Sequence, residues 1–208
     1  MDIEEYSPKS TLVIKQTPVK RAKYSFVDVH NHQFDMPIKD LNKLVTEMDS
    51  LNMGFMINLS GYRGLYLKKS LENIQENAPK RFGLFLNIDF ETIDDKDFVS
   101  TQIALIDSAA AAGVMGLKVY KSLGLTDLDS EGNRIAVNDS RLDPIWNACG
   151  KNGIPVLIHS GEPASFWNPK DKFNERWLEL RQKPNRYRDP QTNPSFEKVI
   201  AEQHEIFS

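Results

Sequence analysis

The stretch Phe26-Val27-Asp28-Val29-His30-Asn31-His32 sets an apolar run against two histidines one residue apart. Apolar residues alternating with polar ones read as a strand, and its polar end is where the strand surfaces. Two imidazoles at i and i+2 on a strand point to the same side, so both can reach one cation. The chain of 208 residues has four histidines, and this placement of two of them calls for an explanation. A strand that merely turns polar at its end would look the same over seven residues, so the surrounding sequence has to decide.

Working outward, the chain settles into a rhythm. Residues 37–53 predict a helix with Pro37 near its first turn and apolar residues at Leu41, Leu44, Val45 and Met48. Strands are predicted over 54–60, 82–90, 116–120 and 154–159. Between them come helices over 64–77, over 94–113 with acidic residues at its start and glycine at its end, and over 139–153. Residues 160–194 are polar and rich in Pro, Asn, Arg and Trp, and an amphipathic helix follows over 194–208. Ahead of the first strand, residues 1–24 read as a polar extension in which 11–14 is a candidate edge strand. Five strands alternating with helices indicate an α/β fold of βα units with a parallel sheet, carried by residues 25–208.

Composition narrows the classes. A hydrophobic share of 40% and a charged share of 26% are those of a globular protein with one sizeable core. A net charge of −3 and a pI near 5.8 give no electrostatic reason to expect nucleic acid or an anionic membrane as partner. The lone Cys149 excludes an intrachain disulfide and a cysteine-rich zinc module, and its helical context reads as a small buried residue. No run approaches the ~18 apolar residues of a membrane span. The first residues lack an apolar signal core, so the expected location is the cytoplasm, or outside it if a signal peptide has been removed.

Polar residues gather at the C-terminal ends of the strands: His30 and His32, Asn58 and Ser60, Asn87 and Asp89, Lys118 and Tyr120, His159 and Ser160. In barrels and open α/β sheets alike, that end carries the chemistry. Alternation puts Asp28, His30 and His32 on one face of the first strand, with Val27 and Val29 on the other, suited to a helix-covered outer surface. In the same way Gly116, Lys118 and Tyr120 share a face, as do Pro155, Leu157 and His159. A third histidine from another strand would complete most of a ligand shell, and Asp28 could orient one of the ligands. The other candidates have plainer readings. His204 sits in a polar helix, Asp94, Asp95 and Asp97 favour a helix start, and Trp146 and Trp177 are packing residues. Trp167 is the partial exception, placed where it could wall a pocket. Lys118 on an inner face is costly to bury unpaired. It could bind an anionic substrate, be carbamylated to bridge two metals, or pair with a carboxylate, and the sequence leaves these three open.

The segments VDVHNH at 27–32, GLKVYKSLGL at 116–125 and IPVLIHSGEP at 154–163 resemble the amidohydrolase superfamily, in particular its amidohydrolase-related branch, which includes metal-dependent decarboxylases. The resemblance runs from about residue 25 to the end. It implies a TIM-type (β/α)8 barrel, present here in part as about five βα units, with a divalent metal, foremost zinc, at the C-terminal rim. His30, His32 and His159 match its metal ligands, and Asp28, Arg63, Lys118, Tyr120 and Glu162 fall where substrate contacts or supports of the ligands would lie. The family adds a histidine from the sixth strand and a catalytic aspartate from the eighth, and this chain has no matching residue for either. The chain is therefore expected to be the N-terminal portion of a longer enzyme, inactive alone if those residues are required.

The implied activity is metal-assisted hydrolysis of an amide, ester or lactone-like bond in a small molecule. One alternative is a non-oxidative decarboxylase, in which Arg63, Lys118, Tyr120 and Lys121 would hold a carboxylate. From another class, a non-catalytic βα-repeat binding protein fits the same strand rhythm. Assembly into a homo-oligomer is compatible with all three.

Overall fold

The computed structural model describes residue 15, residues 17–159 and residues 161–206. Five strands, β1 (Phe26–Asn31), β2 (Met53–Asn58), β3 (Phe82–Leu86), β4 (Gly116–Val119) and β5 (Val156–Ile158), form one parallel sheet in the order β1-β2-β3-β4-β5. Sequential order without reversal is the winding of a barrel, because a doubly wound sheet would switch direction at its middle. The sheet curls into a half-barrel with helices alternating along it, a partial TIM-type barrel.

The helices are α1 (Leu41–Leu51), α2 (Gly64–Asn77), α3 (Phe98–Ala111), α4 (Asp143–Lys151), α5 (Trp177–Gln182) and α6 (Phe196–Ile206). Pro37 does not open the first of them. Asp40 is the cap, accepting from the Lys43 amide at 3.1 Å, and a carboxylate three residues nearer the apolar stripe out-competes a proline there. At the other end Asn52 turns left-handed, with φ of 66°, and its amide closes on Asp49 and Met48 carbonyls. Pro144 does stand in the first turn of α4. The third strand is shorter than its apolar run, ending at Leu86 where Asn87 turns to side-chain bonding.

Every residue of β3 and β4 is buried, as continuous apolar strands covered on both faces should be. Leu67 and Ile74 of α2, Ile106 and Ala109 of α3, and Ile145 and Ala148 of α4 join them in one core. Cys149 belongs to it as well, and burial pushes its thiol pKa up to about 11. Two glycines allow close approaches that shape the rim. A Cβ at Gly61 would lie 2.2 Å from the Phe85 carbonyl oxygen, to which the Gly61 amide donates at 3.0 Å, and a Cβ at Gly116 would meet the Phe85 ring.

β1 departs from the expected covered outer face. Val27 and Val29 are 52% and 58% exposed, because α1 packs chiefly on β2 and α2 and leaves this face of β1 largely uncovered among the described residues. The regular alternation also breaks within it: Asp28 pairs with Met56 but Asn31 with Asn58, so three residues of β1 stand opposite two of β2. This bulge brings Asp28 and Asn31 together. Of the polar extension over 1–24, residues 1–14, including the candidate strand at 11–14, and residue 16 lie outside the described residues. Arg21 and Ala22 dock on the end of α1, the latter donating to the Leu51 carbonyl at 3.0 Å. Within 160–194, the short helix α5 and 3-10 turns at Ala164–Phe166 and Pro184–Arg186 give the polar segment local structure. Among the described residues no helix is long and apolar enough to cross a membrane.

Candidate functional site

The C-terminal rim of the half-barrel is riveted by buried amides. Asn58 accepts from the Gln33 and Ser60 amides, each at 3.0 Å, and donates to the Gln33 carbonyl at 3.1 Å. It thereby ties the chain leaving β1 to the loop after β2. Asn87 does the same one strand further on, accepting from the Tyr62 amide at 2.8 Å and donating to the Leu59 and Lys118 carbonyls. Two polar side chains that the sequence places at strand ends thus hold the rim itself. Unpaired, each would cost free energy at such depth; bonded, they fix the loops from which the histidines project.

His30 and His32 come together, their ring centroids 5.4 Å apart and edge-on. His32 lies between Phe34, stacked at 5.6 Å, and Tyr120, at 6.1 Å. Its Nδ1 meets Ser60 Oγ at 2.8 Å, Ser60 Oγ meets the Tyr120 hydroxyl at 3.0 Å, and that hydroxyl donates to the Leu59 carbonyl at 3.3 Å. With Tyr120 donating to Leu59, Ser60 donates to Tyr120 and His32 donates from Nδ1. That direction leaves Nε2 as the open acceptor of the ring. Burial, the neighbouring His30 and the charge of Lys118 all lower the His32 pKa, which keeps the ring neutral and able to ligate. The expectation for Asp28 changes in kind. Its carboxylate accepts from the His30 amide at 3.0 Å and from the Asn31 side chain at 2.8 Å, so it fixes His30 through the backbone and not through the ring.

His159 follows β5, its amide bonded to the Val119 carbonyl at 3.0 Å and its side chain exposed. Partial burial and the charges of Lys118 and Lys121 hold its pKa below the ordinary imidazole value. His30 lies within its electrostatic reach. Even so, among the described residues no three of His, Cys, Asp and Glu stand close enough to share one metal ion. Donor chemistry fits a divalent ion at His30 and His32, with His159 on the same rim.

Lys118 is the most unusual residue of the rim. It is 1% exposed, and its Nζ has no hydrogen-bond partner among the described residues. The pairing with a carboxylate that the sequence left open is therefore not made. The Tyr120 ring, with its centroid 5.7 Å from Nζ, supplies favourable electrostatics, and burial lowers the lysine pKa. Arg63 is taken up by Asp89 in an ion pair. Glu162 is buried between Lys121 at 2.8 Å and Arg188 at 3.0 Å, two cations on one carboxylate. Arg188, 7% exposed with its Nε unpartnered among the described residues, was invisible as a rim residue in sequence, since it lies 26 positions beyond its partner.

A cavity of about 150 Å3 is lined by Lys118 and Tyr120 together with Asp89, Glu91 and Asp127. Burial raises the Asp127 pKa, and Ser122 offsets part of that by hydrogen bonding. Trp167 packs edge-on against Phe196 at 5.3 Å and donates to the Pro194 carbonyl at 2.8 Å, lining a separate cavity of about 330 Å3. His204 is exposed on α6, and Asp94 bonds Ser130 and Arg141 instead of starting a helix.

No family model and no curated protein matches the chain. Among solved structures, a probable 2-pyrone-4,6-dicarboxylic acid hydrolase from Acinetobacter baumannii is similar, at 16% identity and a TM-score of 0.42. The match covers 78% of this chain and 55% of that one, so the chain spans about half its length. A likeness of that size assigns neither family nor activity.

Proposed function

We propose that this rim is the active site of a metal-dependent hydrolase of the amidohydrolase type, acting on an ester, lactone or amide bond of a small molecule. The observation that carries the reading is the adjacency of His30 and His32 at the end of β1, on the same rim as His159. His30 and His32 would hold the ion, with zinc the best match to neutral imidazole donors, and His159 would have to move closer to complete the set. When bound, the ion would supply Lewis acidity and a water acidified toward neutrality.

The chain's own residues do the rest. Ser60 and Tyr120 orient His32 so that Nε2 faces the rim. Phe34 and Tyr120 wall the ring from both sides. Asp28 sets the height of His30 through its backbone amide. In the net reaction the hydroxyl of water joins the carbonyl carbon, the carbon–oxygen or carbon–nitrogen bond breaks, and the leaving atom takes the remaining proton.

The test is metal retention together with turnover. Chain stripped with chelator and reloaded should retain about one zinc per chain by elemental analysis. The His30→Ala, His32→Ala double variant should retain none, and hydrolysis of a lactone and ester panel should follow zinc content. A wild-type chain that holds no zinc after desalting would sink the reading.

A further inference from the structure

We infer that Tyr62 and Phe34 form an apolar ledge beside His32 that takes an uncharged hydrocarbon arm of the substrate, with Tyr62 the residue that selects it. The inference deepens the hydrolase reading by naming a substrate class and rests on it for the word substrate, while the ledge stands on its own geometry.

Among the described residues, two that are not glycine have a left-handed backbone. Asn52 does so as the cap of α1, where asparagine is a usual choice. Tyr62 does so in the loop after β2, with φ of 53°, where a bulky side chain is disfavoured. The conformation is imposed from the end of β3. Asn87 accepts from the Tyr62 amide at 2.8 Å and donates its own amide to the Tyr62 carbonyl at 2.9 Å, while the Gly61 amide is tied to the Phe85 carbonyl at 3.0 Å. Glycine would hold the same turn without strain, as Gly64 does two residues later with φ of 59°. Burial does not account for a tyrosine either, since Tyr62 is 37% exposed. A strained backbone that displays an exposed ring marks a residue placed for a ligand.

The ring continues a row that starts at His32. Tyr62 meets Tyr66 edge-on at 4.8 Å, the Tyr66 hydroxyl donates to the Phe34 carbonyl, and Phe34 stacks on His32 at 5.6 Å. Ser60, which bonds His32, lies two residues before Tyr62, so the loop that orients the histidine also carries the tyrosine. Phe34 is 61% exposed, which leaves its ring free to cover a guest. The charges beside this row are already compensated: Asp35 pairs with Lys39 at 2.9 Å, and Arg63 pairs with Asp89. Exposed rings without a free cation give a hydrocarbon a dry contact and give a carboxylate no counter-charge. The arm therefore runs from the scissile bond along Phe34 to Tyr62, and it is alkyl or aryl, not ionised.

The experiment compares three lactones with the same ring on the zinc-loaded full chain: γ-butyrolactone, γ-nonalactone with its pentyl arm, and 5-oxotetrahydrofuran-2-carboxylate. The kcat/KM of γ-nonalactone should exceed both others by at least about tenfold, chiefly through KM. Tyr62→Gly and Tyr62→Asn both accept the left-handed backbone, so each should shrink that ratio to within about threefold without lowering the urea midpoint. Tyr24→Gly, an exposed tyrosine ahead of β1, should leave the ratio unchanged. A wild type without the preference overturns the inference, as does a preference that survives both Tyr62 variants. A midpoint lowered in both variants also overturns it, because the ring would then be a packing residue. Binding of the uncharged fluorophore N-phenyl-1-naphthylamine to the metal-stripped chain separates the two readings. Binding that both Tyr62 variants weaken at least about tenfold, without turnover of any lactone, keeps the ledge and removes the hydrolase reading. Turnover with a ratio and a probe affinity that ignore Tyr62 keeps the hydrolase reading and removes the ledge.

Discussion

Replacing Lys118 with methionine should make the chain more stable, although it alters the centre of the site. The side chain is 1% exposed and its ammonium lacks a hydrogen-bond partner among the described residues. Desolvating one charge costs several kcal/mol after relaxation. The Tyr120 ring at 5.7 Å returns about 1 kcal/mol of that. Methionine has nearly the same length, fills the same space and brings no charge, so it opens no cavity. The balance is a gain of about 2 kcal/mol, or roughly 4–8 °C in Tm for a chain of this size. Urea unfolding at pH 7 measures it as a rise in midpoint at unchanged slope.

The pH dependence supplies a second check on the same variant. Burial holds the Lys118 pKa below 10.5 in the folded chain. Between the lowered value and 10.5 the unfolded chain binds a proton that the folded chain does not, so wild-type stability rises with pH across that window. The advantage of Lys118→Met should therefore shrink toward pH 10. A variant less stable than wild type at pH 7, with unchanged slope, would refute the reasoning, because it would mean the ammonium is already compensated.

Three further outcomes follow from other parts of the molecule. Arg134 makes two bonds to Glu202 of α6, at 2.8 and 2.6 Å, with side-chain exposures of 17% and 9%. Glu202→Ala strands that guanidinium and should cost about 3 kcal/mol in urea unfolding, most of it recovered by adding Arg134→Met. Arg141 bonds both Asp94 and Asp139; the Ser130 hydrogen bonds first and Arg141 after them hold the Asp94 carboxyl pKa below the ordinary range, and Arg141 does so for Asp139. The stability they contribute is full above about pH 4 and lost as pH falls through the lowered folded values, so acid unfolding of Arg141→Met should show a shallower pH slope than wild type. Ser60→Ala removes the bond that orients His32 and should weaken zinc retention about tenfold in a competition titration against a chelator dye, with little change in Tm.

The sequence determined the elements and their order. Hydrophobic periodicity is a local property, and it placed five strands and the intervening helices, with α2 over 64–77 matched at both ends. Helix ends depended on finer competition, and the caps at Asp40 and Asn52 prevailed over the proline at Pro37. It also marked the rim residues and the pair His30 and His32, since i and i+2 on a strand are neighbours whatever the rest of the fold does.

Only the tertiary structure decided what those residues touch. The bulge in β1 arises from pairing with β2, so strict alternation could not foresee that Asp28 meets Asn31 and the His30 backbone. Ser60 meets Tyr120 across 60 positions, and Glu162 meets Lys121 and Arg188 across 41 and 26. The valines of β1 are apolar yet exposed, because covering a face requires a helix packed on it and periodicity records only the face. Lys118 shows the division most clearly. Its place on an inner face was legible at once, while the absence of a partner at Nζ among the described residues depends on where every neighbouring carboxylate finds its own cation, and that is settled only when the chain has folded.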